Sequence, residues 1–473
     1  MEIKKLNFKK NSIRALGDKT LQQALRYTTE RFTSARERAK REFGELDNLR
    51  EKAREIKRRT IENLDDYLEI LEENVCKAGG KVYWAEDAKV AVDTVLDIAR
   101  KNRVKLIVKS KSMATEEIEL NRAIEGEGIE VVETDLGEYI IQLANERPSH
   151  IIAPAIHKTK DEIARLFSEK LKIPYYEEPE LLVGVIRKRL RGAFLRADMG
   201  VTGVNFAVAE TGTIIIVENE GNARFVTTVP RVHVAIMGIE KVIPSFKDAA
   251  VFLSILARSA TGQKMSSYVS FITGPRRNGE IDGPEQFHLI IMDNGRTRVL
   301  GSEETRETLY CIRCGACLNA CPVYRKAGGH SYGWVYSGPI GAILTPQLIG
   351  MDRALELPFA STLCGACREV CPVKINIPRI LVGLRRRAVE NGFHKNVKEH
   401  LAMRIWRFVV SHTGVYDILT SLLYVLQHPF KSDGKLRSLP LFSQWTRYRD
   451  LPVLKIPFRK RWKRSTVNRG PRG

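Results

Sequence analysis

Cys311-Ile-Arg-Cys314-Gly-Ala-Cys317-Leu-Asn-Ala-Cys321-Pro322 and, further along, Ser361-Thr-Leu-Cys364-Gly-Ala-Cys367-Arg-Glu-Val-Cys371-Pro372 are one pattern written twice. The first copy is C-x2-C-x2-C-x3-C-P without a gap. The second departs only at its start, where Ser361 stands in the place of the first cysteine. Three thiolates at x2 intervals wrap a turn of backbone around one corner of an iron–sulfur cube. The fourth, closed by proline, points to a second cube. The spacing therefore predicts a first 4Fe–4S cluster on Cys311, Cys314, Cys317 and Cys371, and a second on Cys321, Cys364 and Cys367.

The second cluster is one thiolate short. Three arrangements answer the shortage: Ser361 supplies an oxygen, a 4Fe–4S cube keeps one iron on water or a partner group, or the site holds a 3Fe–4S cluster. Oxygen is a harder ligand than thiolate, so the two clusters are expected to differ in potential. An open iron is also able to bind substrate, but electron relay is the plainer use. Zinc fits less well, because it takes four ligands tetrahedrally, usually as two separated C-x2-C pairs. Here four cysteines lie within eleven residues and close on proline. Gly315, Ala316, Gly365 and Ala366 leave room for amide N–H groups to reach sulfur. Arg313, Arg325, Lys326, Arg368 and Lys374 flank the motifs, as cations that raise cluster potential or line an electron-transfer dock. Cys76, the one cysteine outside the motifs, ends a helical run and is expected to be a small buried hydrophobe.

The rest of the chain frames these motifs. With 473 residues, 28% charged and 43% hydrophobic, it has the composition of a multi-domain globular protein. No apolar run reaches the ~18 residues of a membrane span. The start, MEIKKLNFKKNSIRAL, lacks the apolar segment of a secretory signal. A cytoplasmic, reducing location is expected, where cysteines serve as ligands rather than disulfides. Net charge is +21, and from Lys431 to Gly473 thirteen Lys or Arg face only Asp433 and Asp450. Such a tail suits an acidic partner, including the inner face of a membrane held peripherally, or serves solubility. No nucleic-acid module accompanies it, so no nucleic-acid partner is expected.

Four regions are expected. Residues 1–75 carry Ile56, Ile61, Leu64, Leu68, Leu71 and Val75 at helical spacing, an amphipathic arm that packs on something else, such as a partner subunit. Residues 76–297 form an α/β domain. KVYW (81–84), KLIVKS (105–110), IEVVET (129–134) and HIIAPA (150–155) alternate with helical segments, including one through 113–125, as βαβ units of a mostly parallel sheet do. FAVAETGTIIIVENEGNAR (206–224) reads as two strands around a tight turn. VHVAIMG (232–238), SYVSFITG (267–274) and FHLIIMDNG (287–295) continue the strands. Residues 298–392 form the α-helical two-cluster ferredoxin-like domain, with a loop and connector between the motifs. Residues 393–473 are helical, then a basic tail rich in Pro and aromatics. DILTSLLYVL (417–426) is a core helix or a docking face.

Several stretches resemble the lactate utilization protein B family: LRADMGVTGVNFAVAETGTIIIVENEGNARFVTTVPRVHVAI, CIRCGACLNACPVYR, GPIGAILTPQL, LCGACREVCPVKINIP, and the ending FSQWTRYRDLPV with FRKRW. The resemblance covers essentially the whole chain. It implies that residues 80–297 are a lactate-utilization (LUD) domain, of the broad fold class of CoA transferases and sugar-phosphate isomerases. It implies an iron–sulfur subunit that relays electrons during oxidation of L-lactate to pyruvate. The partners implied are a second iron–sulfur protein and a smaller LUD protein. The family also has seven motif cysteines, so Ser361 departs from the ferredoxin rule and not from the family.

Within the LUD region the residue types suggest anion sites. Lys109 and Lys111 follow a strand and open a helix, where a carboxylate or phosphate can sit; the alternative is a Ser112 cap with solvated lysines. Glu210, Thr211, Gly212 and Thr213 form a turn at a strand end, either a substrate-binding edge or turn chemistry alone. Glu218 to Asn222 is polar and can line the same cleft. His157 and His233 are expected to be structural.

Two further functional readings stand beside electron transfer. In one, the LUD domain itself oxidises a small carboxylic acid. No G-x-G-x-x-G fingerprint lies between a strand and a helix, and hydride abstraction needs a cofactor or metal, which favours the relay. In the other, an iron–sulfur sensor or regulator binds nucleic acid through the tail with steep salt dependence.

Overall fold

A computed structural model describes residues 5–393, 397–436 and 450–467, with the backbone alone for 463–467. The chain divides into two units, 1–393 and 394–473.

Six parallel strands form the main sheet of the first unit: β1 (Lys81–Ala85), β2 (Leu106–Lys109), β3 (Glu130–Glu133), β4 (Met199–Gly203), β7 (Val232–Gly238) and β10 (Gln286–Met292). Their order is β1-β10-β7-β4-β2-β3. Every residue of β7 is buried, the signature of a parallel strand covered on both faces. The order reverses between β2 and β4, since the chain moves outward to β3 and then returns through β4 and β7 to β10. Open parallel sheets place ligands at the carboxyl edge beside such a reversal.

A second sheet joins β5 (Phe206–Val208), β6 (Thr213–Glu218), β8 (Val242–Ile243) and β9 (Tyr268–Ile272) in the order β8-β5-β6-β9. The β5–β6 pair is the antiparallel hairpin that the repeated apolar runs around Glu210–Thr213 announce. Gly212 at its turn has φ +67°, and a Cβ there would lie 2.5 Å from the Asn74 backbone.

Some expectations give way to the observed structure. HIIAPA is not a strand. The His150 imidazole accepts from the Ile152 and Ala153 N–H groups at 3.1 and 3.3 Å, closing a loop in place of a ladder. The helix foreseen through 113–125 breaks into Met113–Glu117 and Leu120–Gly126 around Glu119, whose φ is +51°. The connector between the motifs contains a buried helix, Gly338–Ile349. Its Gly and Pro read as breakers, yet Pro339 occupies the first turn, where a missing N–H costs nothing.

The N-terminal arm packs on its own chain. Helices α1 (Phe8–Gly17), α2 (Lys19–Glu42), α3 (Leu46–Glu62) and α4 (Leu64–Lys77) share one apolar core with both the LUD strands and the motif region. Leu64, Leu68, Leu71 and Val75 form the buried stripe of α4. Cys76 falls one residue past that stripe, about 100° around the helix, and is exposed rather than buried.

In the second unit, Val397–Ser411 and Thr413–Leu426 meet at 106°. Neither contains a buried residue, so DILTSLLYVL is an exposed apolar face. Among the described residues no single helix is long and apolar enough to cross a membrane. Much of the basic tail (437–449 and 468–473) lies outside the described residues.

Candidate iron–sulfur centre and adjoining cavity

The cysteine motifs fold as two matching turns. Gly315 and Gly365, at φ +73° and +86°, each precede a short helix, Ala316–Ala320 and Ala366–Val370. Burial raises the Cys314 thiol, and Cys371 from the other motif raises it further. Burial also raises Cys317, with Cys311, Cys314, Cys367 and Cys371 adding to it. Burial raises Cys367, followed by Cys321 of the first motif. The thiols thus interact across the motifs, Cys371 with Cys311 and Cys314, and Cys321 with Cys364 and Cys367.

The surroundings suit thiolates. No two of the eight cysteines form a disulfide. The N–H groups of Arg313, Tyr324 and Ile375 point at the sulfurs of Cys311, Cys321 and Cys371 from 3.4, 3.5 and 3.4 Å. Seven gathered sulfurs with amide donors aimed at them match the chemistry of iron–sulfur clusters. The first group is buried apart from the half-buried Cys311, whereas Cys364 is exposed. Cys364 is held below the ordinary thiol range by the Ala366 N–H and the Thr362 hydroxyl. Ser361 is half-buried, and its Oγ accepts from the Leu363 N–H at 3.1 Å.

The arm clamps the second motif. Arg50 donates to the Cys371 carbonyl at 3.1 and 3.0 Å and to the Glu369 carbonyl at 2.7 Å. Arg54 reaches the Lys374 carbonyl at 2.6 Å and Glu307 at 2.7 Å. Of the flanking cations, Arg325 is tied to the Asn319 carbonyl and Thr33, and Lys374 pairs with Glu51. Lys326 and Arg368 are exposed.

Arg313 turns inward, into a buried ion network at the carboxyl end of β7. Its Nη2 donates to Glu240 at 3.1 Å, and its guanidinium lies 4.7 Å from the Tyr336 ring centre. Arg296 donates through Nε to the same Glu240 at 2.7 Å and forks onto Glu117 at 2.9 Å twice. Tyr336 donates to Glu117 at 2.7 Å, and the Lys57 ammonium donates to the Glu240 carbonyl at 2.5 Å. The two arginines hold Glu240 down at about 2 in spite of its burial.

A cavity of ≈ 280 Å³ opens over this network. Its walls come from the carboxyl ends of β2, β4 and β7, and from Cys314. Lys111 lines it and donates to the Ile152 carbonyl at 2.9 Å. Glu218, Asn219, Glu220 and Asn222 line it as well, so that polar run does face a cleft. Burial, with Asp135 beside it, pushes Glu220 up to about 7.

The other LUD residues named from sequence sit elsewhere. Lys109 is sealed, paired with Glu133 at 2.6 Å and Glu116 at 3.1 Å, and is not solvated. Ser112 does cap the following helix. The Glu210–Gly212 turn lies against the end of α4, where Asn74 donates to the Ala209 and Glu210 carbonyls, and it is absent from the cavity wall. His157 pairs with Glu146 at 2.6 Å, and His233 shares a 2.8 Å hydrogen bond with Thr202. Sequence reasoning missed Glu240 and Lys241. The available signal was a charged pair two residues beyond the strand VHVAIMG, which is apolar but for His233.

Three family profiles match the chain: LUD domain over residues 68–292, 4Fe-4S dicluster domain over 307–375, and Lactate utilisation protein B, C-terminal, over 384–467. A Bacillus licheniformis protein named Lactate utilization protein B is 47% identical over 455 residues, covering 96% of this chain and 95% of its own. Proteins of the same name from Bacillus subtilis and Macrococcus caseolyticus are 46% and 45% identical, across 94% and 99% of this chain and 93% and 99% of their own. A crystal structure of a DUF162 family protein from Deinococcus radiodurans aligns over 49% of this chain and 98% of its own, at 14% identity and a TM-score of 0.28.

Proposed function

The chain belongs to the lactate utilization protein B family, and from that we propose that it is the iron–sulfur electron-transfer subunit of an L-lactate oxidation complex. The observation that carries this reading is the gathering of the seven motif cysteines on two matching turns, with backbone N–H groups aimed at the sulfurs of Cys311, Cys321 and Cys371. In the reading, Cys311, Cys314, Cys317 and Cys371 hold a first 4Fe–4S cluster. Cys321, Cys364 and Cys367 hold a second, with Ser361 or an open position completing it as 4Fe–4S, or with a 3Fe–4S core. Bound clusters supply one-electron storage.

The chain's own residues then set direction. Arg50, Arg54 and the N–H groups at sulfur stabilise added negative charge around the buried thiols. Cys364, exposed beside the exposed Arg368, is the side where a partner exchanges electrons. The partners in this reading are a second iron–sulfur protein and a smaller LUD protein. The exposed apolar helices of residues 397–426 and the neighbouring basic residues suit peripheral contact with the inner face of the membrane. The test is anaerobic preparation with the co-expressed partner subunits, followed by addition of L-lactate. Lactate-dependent bleaching of the cluster absorbance supports the reading. Clusters that dithionite reduces and lactate never does, with all subunits present, refute it.

A further inference from the structure

Outside the cysteine motifs, two histidines and a glutamate from separate segments meet where the LUD region touches the connector between the motifs. Glu146 follows the helix Leu136–Ala144, His157 precedes the helix Lys160–Leu171, and His330 opens the short turn His330–Tyr332. One donor atom of each lies within 4.8 Å of the other two. The imidazole ring centres of His157 and His330 are 4.4 Å apart, and His157 Nε2 is 2.6 Å from Glu146 Oε2. The connector is pinned here by contacts of its own. The Gly329 N–H donates to Ser149 Oγ at 3.2 Å, and the Tyr324 hydroxyl donates to the Ser149 carbonyl at 2.7 Å.

Hydrogen bonding fixes where the lone pairs lie. The Arg147 carbonyl only accepts, so His330 Nε2, 2.7 Å away, carries a proton and Nδ1 of the neutral ring carries the lone pair. Glu146 likewise holds the His157 proton on Nε2 and leaves a lone pair on Nδ1. The Lys158 ammonium takes Glu146 Oε1 at 2.7 Å and leaves Oε2 to the histidine. The His157 side chain is 10% exposed, and its Nδ1 is buried without a partner. His150, by contrast, has both nitrogens met, by the Ile152 and Ala153 N–H groups and by Asn319. A buried acceptor left unmet is costly, and two imidazoles this close repel one another once both are protonated. A metal ion answers both conditions, since it takes lone pairs from neutral rings. An oxygen on the far nitrogen, as Glu146 and the Arg147 carbonyl supply, is the support that metal-binding histidines use.

We propose that Glu146, His157 and His330 bind one divalent transition-metal ion, zinc or a neighbour in the first transition row, at a site apart from the cysteine motifs and independent of the relay reading. Imidazole and carboxylate donors suit zinc, and three protein donors leave one tetrahedral position open to water or a ligand. The ion ties the connector between the two motifs to the LUD loop that carries His157.

The experiment uses the full chain, prepared anaerobically, cleared of loose metal with a chelator and titrated with Zn2+ in a calorimeter, with iron and sulfide measured on the same samples. The wild type is expected to bind one zinc beyond its cluster iron. His157→Gln and His330→Gln should each weaken zinc by roughly a hundredfold or more, since even the hydrogen-bond partners of a metal-binding histidine are worth roughly 10–100-fold, with iron and sulfide unchanged. Glu146→Gln, at an exposed position, should weaken it as well and stands in for a histidine variant that loses iron. His412→Gln, at an exposed histidine of the second unit, should bind like the wild type. X-ray absorption at the zinc edge should show nitrogen and oxygen neighbours at about 2.0–2.2 Å and no sulfur at about 2.3 Å. Absence of saturable zinc binding overturns the proposal, as does sulfur in the zinc shell, or His157→Gln and His330→Gln proteins that bind like the wild type. Intact clusters without zinc remove this site and leave the relay; zinc on nitrogen and oxygen without iron and sulfide removes the relay and leaves this site.

Discussion

Arg313, which directly precedes Cys314, donates to Glu240 at 3.1 Å, so the first cysteine turn is bolted to the carboxyl end of a central strand of the LUD sheet. Glu240 is 1% exposed and shared with Arg296. A pair buried this deeply is costly to break from one side, because the remaining charge is stranded. The motif region and the LUD sheet are therefore one mechanical body.

That body leaves no room at Gly238. A Cβ there would lie 2.1 Å from Glu240 Oε2 and 2.4 Å from Arg296 Nε. Gly238→Ala should cost about 1–3 kcal/mol of stability by overpacking and lower iron content. Gly184→Ala, at a helical position with nothing within 4 Å of the added Cβ, should be neutral or stabilise by up to ~1 kcal/mol. Urea unfolding of both variants checks the contrast, and equal midpoints would show that the network yields.

Acid should destabilise the sheet through His233. Burial holds this imidazole down to about 3, whereas in the unfolded chain it titrates near ~6.5. The unfolded state therefore takes up a proton that the folded state refuses. Stability is full above the unfolded value and falls as pH drops from about 6.5 towards 3. Between pH 7 and pH 5 the loss is about 2 kcal/mol from this one group. Urea midpoints of the wild type and of His233→Gln across that range check it, the variant showing the shallower slope.

How far these features could be read beforehand depends on the range of the interactions that make them. Alternating apolar and helical segments are local, so the parallel strands and the 206–218 hairpin were legible. The two-cluster region was legible because cluster chemistry fixes the spacing of its own cysteines. The arm's partner was not, since Leu46 or Ile56 shows that a face is apolar without showing what covers it. Lys109 looked like a helix-end anion binder because its counterions, Glu116 and Glu133, lie on separate elements. The cavity is assembled from segments far apart in sequence, so only Lys111 and the Glu218–Asn222 run hinted at it.

Ser361 sets the character of the second cluster in the proposed reading. Ser361→Cys should supply a fourth thiolate and lower that cluster's potential, since thiolate is the softer and more donating ligand. A redox titration followed by EPR reads the shift. An identical titration would mean that the side chain stays with the Leu363 N–H and does not reach the cluster.

The exposed helical face should carry membrane contact. Trp406 is 59% exposed and Ile418 71%. Replacing both with Asp should reduce co-sedimentation with vesicles of anionic phospholipid by roughly tenfold, and raised salt should weaken the wild type further. Unchanged sedimentation would assign the face to a protein partner.

Crossed ligation is tested most directly by EPR of the reduced Cys371→Ala protein, prepared anaerobically beside Cys311→Ala and Cys364→Ala. The expected result is that Cys371→Ala loses the same signal as Cys311→Ala, although its sequence neighbour is Cys367, and keeps the signal that Cys364→Ala abolishes. A Cys371→Ala spectrum that instead matches Cys364→Ala would mean that each motif serves its own cluster, contradicting the arrangement on which the relay stands.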